Sequence, residues 1–240
     1  RMEALLDGTF DERFRAQNAA WQREIDAPPE DPFPDADADL RRMAAAMDLV
    51  APFIVDTREL IHGAAKAGRE LLFEGAQGML LDIDHGTYPF VTSSSTTIAG
   101  AYSGTGVWLD FENRIGVLKA YTTRVGTGPF PTEQQNAAGE TLQRQGHETG
   151  ATTGRPRRCG WLDLPLVREA CITNGTNALV LTKLDVLSGL ETIPVAVGRR
   201  PDGAPVYEDR PGWEEPPGRR ALRCGSPPGL PRLHQLHRGV

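Results

Sequence analysis

From residue 71 onward the sequence alternates short apolar runs rich in β-formers with helical segments, and each run stops at glycine or polar residues. Leu71-Leu72-Phe73 ends at Gly75, Val117 to Val125 (VLKAYTTRV) at Gly126, and Ala178 to Thr182 (ALVLT) at Lys183. Asp163 can cap a helix with Pro165 in its first turn and Gly175 at its end, with Val167, Ala170 and Cys171 facing inward. Ile193 to Val197 reads as a further strand, and Pro194, lacking an N–H, predicts an edge position for it. Strands alternating with helices predict an α/β fold, a mostly parallel central sheet with flanking helices. In such sheets ligands sit beyond the strands' carboxyl ends, where this chain places its glycines and polar side chains.

The first seventy residues read as helices. Phe10, Phe14, Trp21 and Ile25 share one face at 3.6 residues per turn, predicting an amphipathic helix over 9–25. Four prolines between 28 and 34, interleaved with acids, force a loop. Leu40, Met43, Met47 and Val50 restart helical spacing until Pro52 interrupts it. Asp56 with Glu59 three residues on resembles a capping box, opening a helix that ends near Gly68. At the other end, 201–240 hold eight Pro and six Gly, above the roughly 25–30% that marks low complexity. Residues 214–240 are therefore expected to be disordered, or a tail read in a shifted frame.

Composition narrows the function classes. With 26 Lys plus Arg against 32 Asp plus Glu, the formal charge of −6 gives no footprint for nucleic acid. No apolar run approaches the ~20 residues of a membrane span. Three cysteines without metal-ligand spacing fit a reduced, cytoplasmic setting.

Three segments carry possible chemistry. At Thr182-Lys183-Leu184-Asp185 a Lys and an Asp follow a buried strand. An Asp carboxylate there can accept from the ring N1–H and exocyclic N2–H₂ of guanine while the Lys stem covers the base. A solvated turn is the competing reading. Ala151-Thr152-Thr153-Gly154-Arg155-Pro156-Arg157-Arg158 gathers three arginines and two hydroxyls around a glycine, suited to carboxylate or phosphate. A basic surface loop competes with it. Glu74 to Thr97 (EGAQGMLLDIDHGTYPFVTSSSTT) joins glycines around Gln77 to a hydroxyl run beginning at Thr92, which offers phosphate donors. Asp82, Asp84 and His85 suggest metal, but neighbours this close more often brace a turn, so no metal ligand is assigned. Gly63 to Arg69 (GAAKAGR) imitates a phosphate loop but lacks its Lys-Ser/Thr ending and precedes a strand instead of following one.

In order, LLFEGAQGMLLDIDHGTYPFVTSSSTT, LKAYTTRVGTGPFPTE, GATTGRPRRCGWLDL and LVLTKLDVLSGL resemble the matching stretches of the adenylosuccinate synthetase family. The similarity runs from about Leu71 to Val197, and PVYEDRPGW fits as well. The resemblance implies a nucleoside-triphosphate-hydrolase-like fold and a GTP-dependent, Mg²⁺-requiring ligase of the cytoplasm, active as a homodimer. It joins IMP and L-aspartate through a 6-phosphoryl-IMP intermediate on the route to AMP. By the same resemblance Gln77, Thr92 and Arg155 would bind IMP. Ala151, Thr152, Thr153, Gly154, Arg155, Pro156 and Arg157 would close over aspartate, and Arg157, Lys183, Leu184 and Asp185 would hold GTP.

Departures from the family pattern matter as well. Its phosphate loop, with the Asp that serves as catalytic base and Mg²⁺ ligand, and its catalytic His have no counterpart after Arg1, and residues 214–240 match nothing in it. A partial catalytic domain over 1–213 followed by a non-matching tail is therefore expected, inactive alone. The alternative is a GTP-binding module without ligase chemistry, which would leave the arginine loop unexplained.

Overall fold

A computed structural model describes residues 9–25, 33–150, 154–215 and, as backbone, 221–222. The chain divides into two compact units, Arg1–Gly63 and Ala64–Val240. In the first, helix α1 (Thr9–Glu24) and helix α2 (Ala36–Val50) precede a 3₁₀ turn at Ala51–Phe53, the interruption expected at Pro52. Asp35 caps α2 by accepting from the Asp37 N–H at 2.9 Å. On α1, Phe10 and Phe14 stack with centroids 5.5 Å apart, but Trp21 and Ile25 are half-exposed. The most buried residue of that helix is Asn18, which donates to the Pro34 carbonyl, so the apolar face is shorter than its spacing predicts. Helix α3 (Thr57–Lys66) opens where expected, with Asp56 accepting from the N–H groups of Arg58 and Glu59. Gly68 closes it in the left-handed region.

The second unit contains the strands. They are β1 (Ile115–Lys119), β2 (Thr122–Arg124), β3 (Arg158–Gly160), β4 (Leu162–Asp163), β5 (Ala178–Thr182), β6 (Thr192–Arg199), β7 (Pro205–Pro211) and β8 (Ala221–Leu222). Helix α4 (Ala99–Thr105) precedes β1, α5 (Ala137–Gln145) lies between β2 and β3, and α6 (Leu164–Asn174) between β4 and β5. The α/β class holds. β1 and β5 run parallel in register from Ile115↔Ala178 to Lys119↔Thr182, and β4 and β6 form a second parallel pair. Antiparallel strands flank both: β8 on β5 and β7 on β6, while β2 and β3 pair antiparallel by themselves. Asp163 caps α6 through the Leu166 N–H, and Gly175 ends it at φ 55°.

Three local expectations change. Leu71–Phe73 forms no strand; Leu72 is 94% exposed, and among the described residues no strand lies beside it to supply the ladder that makes an apolar run a strand. The 117–125 run divides into β1 and β2 at Ala120–Tyr121, whose side chains turn into the core instead of continuing the ladder. Pro194 lies in a central strand, because β6 is flanked by β4 and β7. β4 spans only Leu162–Asp163 and meets β6 at Val195 and Ala196, so the missing N–H falls outside that ladder. The expectation for 214–240 lies mostly outside the described residues; within it, the Ala221–Leu222 backbone pairs with β5.

The core gathers Ala120, Tyr121, Leu142, Cys159, Val186, Leu187 and Ile193, with Trp161, Leu181 and Trp213 packed against it. It therefore sits directly beneath the carboxyl ends of β1 and β5. The opposite condition holds on one face of that pair: Ile115, Val117 and Val180 are exposed, Val117 by 72%, and β1 pairs only with β5 among the described residues. Leu187 is 1% exposed, so Leu187→Ala is expected to lower unfolding stability by about 2–5 kcal/mol, read from the urea midpoint of the chain. An unshifted midpoint would contradict this placement of the core.

Candidate functional site

Two parallel strands deliver cations to one place. β1 ends in Lys119, in register with Thr182 at the end of β5, and the Ala120 N–H donates to the Thr182 carbonyl. β5 passes directly into Lys183, which adopts φ 61° although it is not glycine, and then into a 3₁₀ turn at Leu184–Leu187. That turn buries Val186 and Leu187 and leaves Asp185 exposed. The Leu184 carbonyl is fixed from the other side by the Trp213 indole N–H at 3.2 Å. Lys183 Nζ donates to the Gly146 carbonyl at 3.0 Å.

Gly146 begins the turn that follows α5. A side chain there would collide with the Tyr121 hydroxyl and the Leu142 carbonyl, so the close approach requires glycine. His147 follows in the left-handed region, and Glu148, with its side chain 1% exposed, comes next. Both carboxylate oxygens of Glu148 accept from Lys119 Nζ at 2.7 Å. Tyr121 Oη donates to it at 2.5 Å and Arg157 Nη1 at 2.9 Å. The Arg157 N–H donates to the Glu148 carbonyl, and Gln143 Nε2 to the Arg157 carbonyl, fixing the backbone on both sides. Burial works to raise the Glu148 pKa, but the Lys119, Tyr121 and Arg157 donors outweigh it and hold it below the usual value. Burial and then Glu148 push the Tyr121 hydroxyl well upward, and burial lifts the Cys159 thiol to about 11, which keeps that cysteine an inert core residue.

Of the sequence-predicted residues, Lys183 and Arg157 thus meet the same turn, two positions apart. Arg155, Gly154 and Pro156 are exposed on the loop that leaves it, and the Arg155 carbonyl accepts from the Gly150 N–H. Ala151, Thr152 and Thr153 lie outside the described residues. Gln77 and Thr92 come together separately: Gln77 Nε2 donates to Thr92 Oγ1 at 3.0 Å, and Gln77 is held at φ 67°. Gln77, His147 and Lys183 are the three non-glycine residues of positive φ among those described. Gln77 and Lys183 fall in two of the singled-out segments and His147 on the turn that Lys183 and Arg157 meet, and such backbone strain clusters at functional positions.

The loop carrying Gln77 and Thr92 is shaped by Asp82. Its buried carboxylate accepts from the N–H groups of Asp84, His85, Thr96 and Thr97 and from the Ser95 hydroxyl. Burial alone would raise its pKa; the four backbone donors together take it well below the carboxylate range. With its lone pairs committed in this way, Asp82 braces a turn, and among the described residues no group of three His, Cys, Asp or Glu could hold a metal ion. Arg124 ties this loop to β2: Nη2 donates to Thr87 Oγ1 and the Phe90 carbonyl, and Nε to the Thr127 carbonyl. Opposite it in register, Arg158 pairs with Glu133 through Nε and Nη2 and clasps the Gly126 and Gly128 carbonyls.

Lys119, Tyr121 and Glu148 escaped the sequence reading. A signal for Glu148 existed: it is the lone acid between Glu140 and Asp163, in a stretch holding Arg144, Arg155, Arg157 and Arg158.

Fold and site together define an α/β protein with a cation-rich, anion-seeking site at the carboxyl ends of parallel strands. A family model described as adenylosuccinate synthetase matches residues 1–217. The adenylosuccinate synthetase of Koribacter versatilis is 46% identical over 236 residues, covering 89% of this chain and 52% of that protein. That of Geobacter sulfurreducens is 53% identical over 183 residues, 69% of this chain and 42% of that one. The fully ligated Plasmodium falciparum adenylosuccinate synthetase superposes with a TM-score of 0.73 at 40% identity, covering 76% of this chain and 48% of that chain. The chain belongs to the adenylosuccinate synthetase family, a family of ligases, and spans about half the length of the curated relatives it matches.

Asp82, Glu133 and Glu148 all sit below their ordinary values, Glu133 chiefly through its hydrogen bonds from Arg158. Folded pKa values depressed in this way stabilise the fold fully above the unfolded values, about 3.9 and 4.3, and that stability is lost as pH falls through the folded ones. Thermal unfolding from pH 7 to pH 3 is expected to show a steady Tm down to about pH 5 and a progressive fall below it. A Tm unchanged at pH 3 would contradict the assignment.

Proposed function

We propose that these residues belong to a GTP-dependent, carbon–nitrogen-bond-forming ligase that joins IMP and L-aspartate to give adenylosuccinate, GDP and phosphate. Family membership supports the reading, as does the attachment of Lys183 and Arg157 to one turn at the ends of parallel strands. In this reading Asp185, exposed beside Lys183, accepts from guanine N1–H and N2–H₂, a pair of donors that adenine lacks on that edge. Arg157 lies between aspartate and the GTP phosphates. Arg155 and residues 151–157 meet the aspartate carboxylates, with Arg155 also reaching IMP. Gln77 and Thr92, already hydrogen-bonded to one another, meet the IMP base and phosphate.

The chemistry follows from leaving-group quality. The purine O6 is a poor leaving group until the γ-phosphoryl group of GTP is moved onto it; the aspartate amine then displaces phosphate at C6. The protein's share of such a reaction is positioning and charge neutralisation. Mg²⁺ supplies charge neutralisation at the phosphates in phosphoryl transfer generally. Among the described residues no group of three His, Cys, Asp or Glu could hold it and Asp82 is committed to backbone donors, so none of them is assigned as its ligand and no step is drawn through it. A homodimer in the cytoplasm belongs to the same reading; no helix among the described residues is long and apolar enough to cross a membrane.

Calorimetric titration with GTP, ATP and xanthosine triphosphate, repeated on Asp185→Asn, tests the nucleotide half of this assignment. GTP is expected to bind better than ATP. The variant is expected to lose about tenfold to a hundredfold in GTP affinity and to gain for xanthosine triphosphate, whose O2 accepts where guanine donates. An unchanged preference would remove Asp185 from the site.

A further inference from the structure

We propose that Glu148 is a positioning residue, which fixes the Arg157 guanidinium through a single nitrogen and leaves the rest of its donors to an anionic ligand. The substrate side of this inference rests on the ligase reading above. The geometry of the buried cluster carries the other side.

The arginines of this unit divide by how completely they are used. Arg158 commits all three nitrogens: Nε and Nη2 grip Glu133 as a fork, and Nη1 donates to two carbonyls. Arg124 spends Nε and Nη2 on two carbonyls and a hydroxyl. Such side chains hold loops together. Arg157 is half-buried yet donates through Nη1 alone, and among the described residues neither Nε nor Nη2 has a partner. A carboxylate that formed the usual two-point pair with Arg157 would consume its ligand-binding edge. Glu148 cannot do so, because Lys119 already occupies both oxygens and Tyr121 holds Oε1. Shared in this way, the acid takes one nitrogen from Arg157 and no more.

The charge balance points the same way. Lys119, Arg157 and Lys183 bring three positive charges to the 146–148 turn, and Glu148 is the acid hydrogen-bonded to two of them. The Asp185 carboxylate acts on the neighbouring Tyr121 hydroxyl, and among the described residues Lys183 donates to a neutral carbonyl, so the cations still outnumber the acids. The surplus suits a carboxylate or phosphate. The Arg157 backbone is held on both sides by Glu148 and Gln143, so the remaining freedom is in the side chain, and Glu148 restricts that too.

The test uses the whole chain, nitrogen-15 labelled, with the Arg157 guanidinium signal identified by its loss in Arg157→Lys. In the wild type that signal is expected to be ordered. In Glu148→Gln, which removes the charge, it is expected to become motionally averaged. Because that variant strands two cations and can fail to fold, Glu148→Asp is run beside it: it keeps the charge for Lys119 but withdraws by one methylene, and is expected to release Arg157 with the backbone spectrum retained. The second arm titrates L-aspartate, alone and with IMP and GTP present. Glu148→Asp is expected to weaken aspartate by about tenfold or more, the worth of a charge-assisted hydrogen bond, and to have no further effect in an Arg157→Lys background. A guanidinium that stays ordered in Glu148→Asp, or an aspartate effect that persists without Arg157, would overturn the proposal. If the wild type binds neither aspartate nor GTP, the ligase reading fails, while the guanidinium signal still decides the role of Glu148.

Discussion

The Glu148 carboxylate, sealed from water, is the interaction on which the arrangement at the strand ends depends. Removing an acid from solvent costs several kcal/mol unless donors replace its hydration. Here two cations and a phenol do so, from two separate parts of the chain: Lys119 and Tyr121 at and just past the end of β1, and Arg157 immediately before β3. The same bonds that compensate for burial therefore fix the mutual position of those segments. Because the turn that carries Glu148 also carries the carbonyl that receives Lys183, the end of β5 is set by it as well.

Two other carboxylates are equally buried and solve the same problem with different donors. Asp82 is surrounded almost wholly by backbone N–H groups, which makes it an organiser of one loop. Asp163 caps α6 with one oxygen and pairs with Arg199 through the other, so it joins a helix start to β6. The reach of each acid differs: the donors to Asp82 all lie within 15 residues of it, whereas Lys119 is 29 residues from Glu148 and Arg199 is 36 from Asp163. This is why the Asp82 loop is local and the Glu148 cluster spans nearly forty residues.

That difference also explains what could be read from the letters. The place of Lys183 and Asp185 at a strand's exit was legible because a strand and its exit are contiguous in sequence, and the caps of α3 and α6 because capping is set within three or four residues. The α/β class followed from the same local rhythm. Glu148 needed Lys119 and Tyr121, 29 and 27 positions away, and nothing in their spacing announces the contact. Leu71–Phe73 had the composition of a strand, but a strand is completed by its neighbour. Pro194 was assigned to an edge by a sound rule that a two-residue partner, β4, makes irrelevant.

The bare side of β1 has a practical meaning for anyone handling these residues in solution. Val117 and Ile115 stand uncovered on a parallel strand, a class that is ordinarily shielded on both faces, and the outer rim of amides and carbonyls beside them has no ladder among the described residues. A rim of that kind is a template for strand addition by another copy. Attraction at this ribbon is opposed by the chain's excess of negative charge, so self-association should grow with concentration and with salt, which weakens the repulsion and leaves the apolar attraction intact.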